Sequence, residues 1–419
     1  MANVLYLFSI MLLLVENPIA SSTSGDGFRL TLTRVDSAAS ASLTLAERIQ
    51  RAVRRSYSRK RAIEAKLDVV ASVSYGGSFE YLVSFGIGSP ALPVTAILDT
   101  GSDLIWTQCV PSFERIPQPS PFYDSSESSS FSRIPCSNPF CSERISIFSS
   151  CASSQGDLCL YLARYGDDTR SRGLLATEKL SFDDGSSIAG VIFGCGFWNN
   201  GTLSNSTGIV GMGRGRFSLP AQLNPPRFSY CLTSINSSAA SHLFLGTKAS
   251  LGGGGGSVGS TPFISNPTSP SFYYLSLIGI SVGGIRLPIP PSAFQLNADG
   301  SNGTIIDSGT FLTLLNQPGY EVLRKELIKQ VGLDIDQCIQ LKNQSSAPPM
   351  PELVFHFDGA DMRFQRDKYM FIDEGIFCSA IAGTDGLSIL GNYQQQDMHI
   401  LYDLKANVLS FVPANCDRF

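Results

Sequence analysis

Histidine is almost missing from this chain: 419 residues contain three, His242, His356 and His399. With so few imidazoles, and with Cys136 and Cys141 the one pair that comes near a Cys-x2-4-Cys spacing, a zinc site has no ligand set, and no metal or other cofactor is expected. Long apolar runs are also lacking. The most apolar stretch, residues 4–15 with Ser9 the one clear exception, falls short of the roughly 20 residues a bilayer span needs. It is followed by Pro18-Ile19-Ala20-Ser21, which makes residues 1–20 a secretory signal peptide, although its start has no Lys or Arg, and leaves no stable membrane anchor. Charged residues make up only 16% of the chain, and extended helical periodicity is scarce, whereas Gly (39) and Pro (23) are plentiful. Together with 43% hydrophobic content, this predicts an all-β, loop-rich body large enough for one sizeable core or two smaller ones.

One pattern is present twice. Ile97-Leu98-Asp99-Thr100-Gly101-Ser102 and Ile305-Ile306-Asp307-Ser308-Gly309-Thr310 each set an aspartate after apolar residues and before hydroxyl, glycine, hydroxyl. About 0.07 chance copies are expected in a chain of this composition, so two copies are not a pair of unrelated turns. An apolar strand carries each aspartate into a water-poor place, glycine permits a tight loop, and the hydroxyls can orient the carboxylate. Side by side, two such carboxylates cannot both ionise easily. They hold one shared proton, so that one can deprotonate a water attacking a peptide carbonyl while the other stabilises the developing oxyanion.

The two halves repeat further. Gly208-Ile209-Val210-Gly211 lies 109 residues after Asp99, and Ser388-Ile389-Leu390-Gly391 lies 81 residues after Asp307. The excess of 28 falls in the half that holds Cys109, Cys136, Cys141, Cys151 and Cys159.

These segments resemble the pepsin-like aspartic proteases, in their plant nepenthesin-like branch. The likeness extends over most of the chain after Ser78: Phe79-Glu80-Tyr81, Gly86-Ile87-Gly88-Ser89-Pro90, Leu104-Ile105-Trp106-Thr107-Gln108-Cys109, Phe193-Gly194-Cys195-Gly196, Phe228-Ser229-Tyr230-Cys231-Leu232 and Ile389-Leu390-Gly391-Asn392-Tyr393-Gln394-Gln395-Gln396. The resemblance implies a bilobal fold of two similar β lobes, at 78–245 and 262–416, with a central cleft that hydrolyses polypeptides. It implies Asp99 and Asp307 as catalytic residues, supported by Thr100, Gly101, Ser102, Ser308, Gly309 and Thr310. Tyr165 would sit on a flap and bond to Trp106. In Tyr165-Gly166-Asp167-Asp168-Thr169, Asp168 stands where the family has glycine and Thr169 where it has serine.

Ten cysteines and five sequons, at Asn200, Asn205, Asn236, Asn302 and Asn343, fit an oxidising, glycosylating route. The product is expected outside the cell, in the apoplast, with the vacuole as the other destination. Spacing alone leaves the disulfide connectivity open. The resemblance implies nested pairs Cys136–Cys159 and Cys141–Cys151 in the first lobe, with Cys231–Cys416 and Cys338–Cys378 elsewhere. Two cysteines that usually follow Cys109 in the family are Ser112 and Arg115 here, which leaves Cys109 to Cys195.

Residues 1–67 carry 10 Lys and Arg against 5 Asp and Glu, whereas the rest carries 21 against 30, a net charge near −9. Arg51, Arg54, Arg55, Arg59, Lys60 and Arg61 follow Leu43, Leu45, Ala46, Ile49 and Val53, which can form one helix face. Such runs are usually solvated arms. Against an acidic body, a basic arm would be held by ion pairs that weaken as carboxylates protonate, and the resemblance makes residues 21–70 an inhibitory propeptide cut between residues 66 and 77. Because these basic residues would be removed, nucleic acid is not an expected partner. The partners are polypeptide substrates and the chain's own propeptide, and the enzyme is expected to be a monomer.

Elsewhere, a helix is expected over 318–331, with Tyr320, Leu323, Leu327 and Val331 on one face and Gly332 as its stop. A hairpin turns at Asp358-Gly359 with His356 off its apolar face. Residues 272–278 read as one strand buried on nearly both sides, and the glycine-rich stretch 251–260 reads as a loop. Gly255-Gly256-Ser257-Val258-Gly259 matches a serine-hydrolase elbow in letters but lacks the strand and helix around it. Two other functions fit less well. A catalytically weak or inactive relative of the plant glycosidase inhibitors would show damaged aspartate motifs, and a cell-wall structural glycoprotein has only sequons and Ser/Pro-rich loops to recommend it.

Overall fold

A computed structural model describes residues 21–22, 27–35, 45–64 and 81–419, apart from short internal stretches at 143–147, 153–155, 166–167, 204, 253–254, 337, 342–346 and 374. The signal peptide, the expected maturation site, Asn343, Gly166 and Asp167 lie outside the described residues.

The body is all-β and bilobal, as expected. Seven antiparallel strands of the described residues run across its floor in the order Gly259–Ile264, Val408–Pro413, Met398–Asp403, Arg227–Cys231, Ser241–Gly246, Gly27–Arg34 and Tyr81–Ile87. Both halves of the chain therefore share one sheet. The N-terminal strand Gly27–Arg34 alternates cleanly, with Phe28, Leu30 and Leu32 buried and Arg29, Thr31 and Thr33 exposed, and it is paired along both edges. This is the period-2 pattern of a strand with one face on a core.

Each aspartate grows from a strand buttressed by a parallel neighbour. Leu92–Asp99 pairs with Gly208–Gly211, setting Gly211 opposite Asp99, and Thr304–Ile306 pairs with Ser388–Leu390, setting Leu390 opposite Ile306. These neighbours are the two repeated apolar-Gly segments. Gly211 and Gly391 admit no side chain, since a Cβ would lie 2.2 Å from the Asp103 backbone and 2.3 Å from the Leu312 carbonyl oxygen, respectively. Glycine is needed there by close approach.

The second-lobe helix spans Gln317–Val331, buries Tyr320, Leu323 and Leu327, and ends at Gly332 in the left-handed region (φ 73°), whose N–H reaches the Ile328 carbonyl at 2.7 Å. The hairpin Leu353–Phe357 with Ala360–Phe364 forms in the expected register. His356 lies off its apolar face and is held between Ser281 Oγ (2.7 Å) and Asp361 Oδ1 (2.6 Å). The single strand expected over 272–278 is two, Tyr273–Leu275 and Leu277–Val282, which join different sheets, and Ile278 is 54% exposed. The chain changes sheets at Ser276, so side-chain alternation does not carry through.

Among the disulfides, Cys109–Cys195, Cys231–Cys416 and Cys338–Cys378 form as expected. The nested pair in the first lobe is corrected: the bridges are Cys136–Cys151 and Cys141–Cys159, which interleave. Cys151 and Cys159 stand opposite each other on the hairpin Phe148–Ala152 with Leu158–Arg164. Cys159 is buried and takes buried Cys141 from the short helix Pro139–Ser142, while exposed Cys151 takes the half-exposed Cys136. Depth decides the pairing, and spacing carries no information about depth. Non-reducing peptide mapping should recover a Cys136–Cys151 peptide and a Cys141–Cys159 peptide, with no Cys136–Cys159 species.

Candidate active site

Both aspartates are buried, and each is dressed alike. Asp99 Oδ1 accepts from the Gly101 N–H at 3.0 Å, and Asp99 Oδ2 accepts from Ser102 Oγ at 2.6 Å. Asp307 Oδ1 accepts from the Gly309 N–H at 3.0 Å, and Asp307 Oδ2 accepts from Thr310 Oγ1 at 2.6 Å. The same residue pattern produces the same geometry: the residue two places on donates its backbone N–H and the residue three places on donates its hydroxyl. The remaining hydroxyls join the loops to each other. The Ser308 N–H donates to Thr100 Oγ1 at 2.8 Å, and Thr100 Oγ1 lies 3.2 Å from Ser308 Oγ. All eight residues of the two motifs named from the sequence thus meet in one place.

Arg59 also enters this place. It belongs to the N-terminal helix Leu45–Glu64, and its guanidinium donates Nε to Asp307 Oδ2 at 2.6 Å. Its Nη2 donates to Asp307 Oδ1 at 3.1 Å and also to Asp99 Oδ1. A single nitrogen therefore touches the inner oxygens of both carboxylates.

The electrostatics follow from these contacts. Burial alone would push the Asp307 carboxyl up, but the Arg59 charge and the hydrogen bonds from Arg59, Thr310 and Gly309 outweigh it and hold the group below the usual carboxylate range. Burial also works against the Arg59 cation, and the two carboxylates more than compensate, so it stays charged.

Other anchors hold the helix. Ile49 and Ala52 are buried against a cluster that includes Phe311, Leu312, Leu387 and Tyr393. Tyr57 donates to the Gly383 carbonyl at 3.2 Å, Lys60 donates to the Asp385 carbonyl, and Glu64 accepts from the Leu387 N–H at 2.8 Å. The helix face expected from Ile49 and Val53 is the one that packs. What the sequence did not single out is Arg59 among six basic residues. The signal is its phase, since Ala52, Ser56, Arg59 and Ile63 recur at helical spacing below that face.

Trp106 Nε1 donates to Tyr165 Oη at 2.7 Å, so the expected flap contact is present. Tyr165 N–H donates to the Thr169 carbonyl and Asp168 N–H to the Tyr165 carbonyl, closing a tight turn in which Asp168 has φ 64°. This left-handed conformation is where the resemblance led one to expect glycine, and aspartate is among the side chains that tolerate it. The three histidines lie away from the dyad: His399 has its Nε2 3.0 Å from Ser229 Oγ, and burial keeps its ring below the usual histidine range, while His242 faces Arg29. Two further groups brace the second loop. Asn392 Nδ2 donates to the Ser308 carbonyl at 2.8 Å, and Gln395 Nε2 donates to the Asp307 carbonyl at 3.3 Å and the Leu390 carbonyl at 2.9 Å. Their signal was the amide run directly after Gly391.

Two dressed carboxylates at the junction of two β lobes define an aspartic-type hydrolase. Family models described as xylanase inhibitor N-terminal and C-terminal match residues 81–247 and 272–413. The aspartic proteinase nepenthesin-1 of Nepenthes gracilis is 41% identical over 93% of this chain and 90% of its own length. Aspartyl protease family protein 2 of Arabidopsis thaliana is 38% identical over 83% of this chain and 73% of its own length. The crystal structure of edgp superposes with a TM-score of 0.66 at 16% identity, covering 93% of this chain and 95% of that one, and soybean basic 7S globulin with 0.63 at 17%, covering 81% and 95%; at such identities these show the fold alone. The chain belongs to the pepsin-like aspartic proteases, in their plant nepenthesin-like branch, and is an aspartic endopeptidase.

Replacing Tyr165 by Phe removes the hydroxyl that receives the Trp106 N–H. A loss of about 1 kcal/mol for one such bond predicts a kcat/KM lower by roughly fivefold to tenfold, and the buried Trp106 N–H left without its partner should lower Tm by about 2–4 °C. A peptide-cleavage assay beside a thermal melt checks it.

Proposed function

We propose that Asp99 and Asp307 form the catalytic pair of an acid endopeptidase of the secretory route, acting on polypeptides outside the cell or in the vacuole, and that residues 21–70 are its inhibitory propeptide. The observation that carries this reading is the shared nitrogen of Arg59, because it occupies a point from which both carboxylates are reached. With the arm gone, a water at that point would give a proton to the ionised member of the pair as its oxygen attacks the peptide carbonyl. The protonated member would donate to the carbonyl oxygen as it becomes an oxyanion. Return of a proton to the amide nitrogen lets the C–N bond break, leaving an acid and an amine. Gly101, Ser102, Gly309 and Thr310 hold the carboxylates in orientation through the reaction, Thr100 and Ser308 hold the loops together, and Tyr165 closes over the substrate.

The same contact explains latency. Since Arg59 holds the Asp307 carboxyl below its ordinary range, the plugged state is stabilised most where free carboxylates are ionised. That stabilisation fades as pH falls through the depressed value, because protonated carboxyls no longer attract the guanidinium. Acid therefore loosens the arm under the conditions in which the dyad holds its working proton. The mature body would then comprise the lobes at 78–245 and 262–416. The inhibitor reading gains nothing from a family model's description when both aspartate loops are whole.

Asp99→Asn and Asp307→Asn should each abolish hydrolysis, as should a statine-type transition-state mimic, in a haemoglobin digestion assay across pH. Retained activity in both variants would overturn the mechanism. Separately, Arg59→Gln in the full chain removes charge-assisted bonds of about 1.5–3 kcal/mol each, so self-processing near pH 5 should accelerate at least tenfold, with Arg59→Lys intermediate. Equal processing rates for the three chains would reject the plug while leaving the dyad untouched.

A further inference from the structure

Phe113 and Trp198 are the two large aromatic side chains that stand exposed among the described residues, at 65% and 38%. They stack on each other, with ring centroids 4.6 Å apart and planes 19° from parallel, and the Arg172 guanidinium lies 5.2 Å from the Trp198 ring centre. A stacked, exposed aromatic pair presents a flat apolar face on which another flat apolar face can lie. One is encoded beside it. Trp198 and Asn200 lie two residues apart on the strand Ser187–Asn200, and such residues share a face. Asn200-Gly201-Thr202 is a sequon.

The surroundings of Asn200 are fixed rather than loose. Phe113 N–H donates to the Phe197 carbonyl at 2.8 Å and Asn199 N–H to the Glu114 carbonyl at 2.9 Å, which pins the segment carrying Phe113 to the strand carrying Asn200. Asn199, fully buried, is held by Ser171 Oγ and by the Gly196 carbonyl. Thr202 N–H donates to Thr169 Oγ1 at 3.1 Å. Asn200 itself is exposed, and its Nδ2 donates to Glu114 Oε1 at 2.7 Å.

We propose that Asn200 carries an N-linked glycan whose first N-acetylglucosamine lies against the Phe113–Trp198 shelf. The proposal rests on the secretory-route reading above. Nδ2 forms a bond to the sugar C1, the C1–O bond to the pyrophosphate of a lipid-linked oligosaccharide breaks, and one amide proton is lost. The second Nδ2 proton remains, so the bond to Glu114 survives the modification and fixes the glycosidic nitrogen. The C–H face of a pyranose then meets an aromatic face. Asn302 is the contrast: its Nδ2 donates to the Ser292 carbonyl at 3.1 Å and the Gln295 carbonyl at 2.9 Å, which uses both amide protons and leaves no place for a sugar. Asn205 and Asn236 are exposed, and among the described residues no exposed aromatic side chain stands within two positions of either.

The full chain should be secreted from a yeast that adds high-mannose glycans, and sequon occupancy read by enzymatic deglycosylation in heavy-oxygen water with peptide mass spectrometry. Asn200 is expected to be occupied and Asn302 unmodified. Secreted protein with Asn236 or Asn205 occupied and Asn200 empty would overturn the proposal alone, whereas no occupied sequon at all would overturn the secretory reading with it. For the stacking, the protein trimmed to a single sugar is compared by thermal melt with Thr202→Val, which abolishes the sequon but keeps Asn200 and Glu114, each with and without Phe113→Ala. Loss of the sugar should lower Tm by about 2–4 °C with Phe113 present and by less than about 1 °C without it. Equal shifts in the two backgrounds would reject the contact with the shelf.

Discussion

Two carboxylates that must stand side by side in a buried place repel each other, by about 4 kcal/mol at 4 Å for an effective dielectric of 20, and everything around Asp99 and Asp307 answers that repulsion. Each acid receives a backbone N–H and a hydroxyl from its own loop, so each is solvated by fixed dipoles instead of water. The reciprocal bonds of Thr100 and Ser308 then resist the tendency of the loops to part. In the state described here, a guanidinium supplies the countercharge as well.

Holding the loops together is a task for the whole molecule, because they come from different lobes. The shared floor sheet is one tie. A second is Asp103, one residue beyond the first motif, whose carboxylate accepts from the Gly215 N–H at 2.8 Å and from Ser271 Oγ on the other half. A third runs beneath Asp307, where Gln395 joins its carbonyl to the Tyr230 hydroxyl, which in turn meets the Tyr402 hydroxyl at 2.7 Å. All three side chains are buried, so these polar groups must find one another or go unpaired. The strands that carry them are thereby held in one relative position.

The parts legible in the sequence share a property: their physics is local or repeated. The aspartate loops were visible because the same short solution occurs twice, and the helix ending at Gly332 and the hairpin at Asp358 because periodicity and turn chemistry are read over a few residues. The parts that were not legible depend on depth or on what faces a segment from elsewhere. Cys136 and Cys141 could not be assigned partners by spacing, because burial of Cys141 and Cys159 decides the matter. Ile278 looked like a core residue because a change of sheet at Ser276 leaves no mark in an apolar run. Arg59 was one of a crowd. Its neighbours Arg54 and Arg61 are exposed on other sides of the same helix, and only the position of that helix over the cleft separates them.

That position also constrains how the arm can leave. The ion pairs of Arg59 respond to pH through their carboxylates, but the strand Gly27–Arg34 does not, since its attachment is a ladder of backbone bonds and the buried side chains of Phe28, Leu30 and Leu32. Nor does the contact of Ile49 and Ala52 with Phe311 and Leu312. Acid therefore acts on a small part of the arm's total binding. If residues 21–70 are the propeptide, protonation frees the dyad for short excursions while the strand still tethers the helix nearby. A cut between residues 66 and 77 severs only the link from the helix to the body and leaves the strand joined to the helix, so the guanidinium stays at high effective concentration beside the carboxylates until the strand itself leaves the floor sheet.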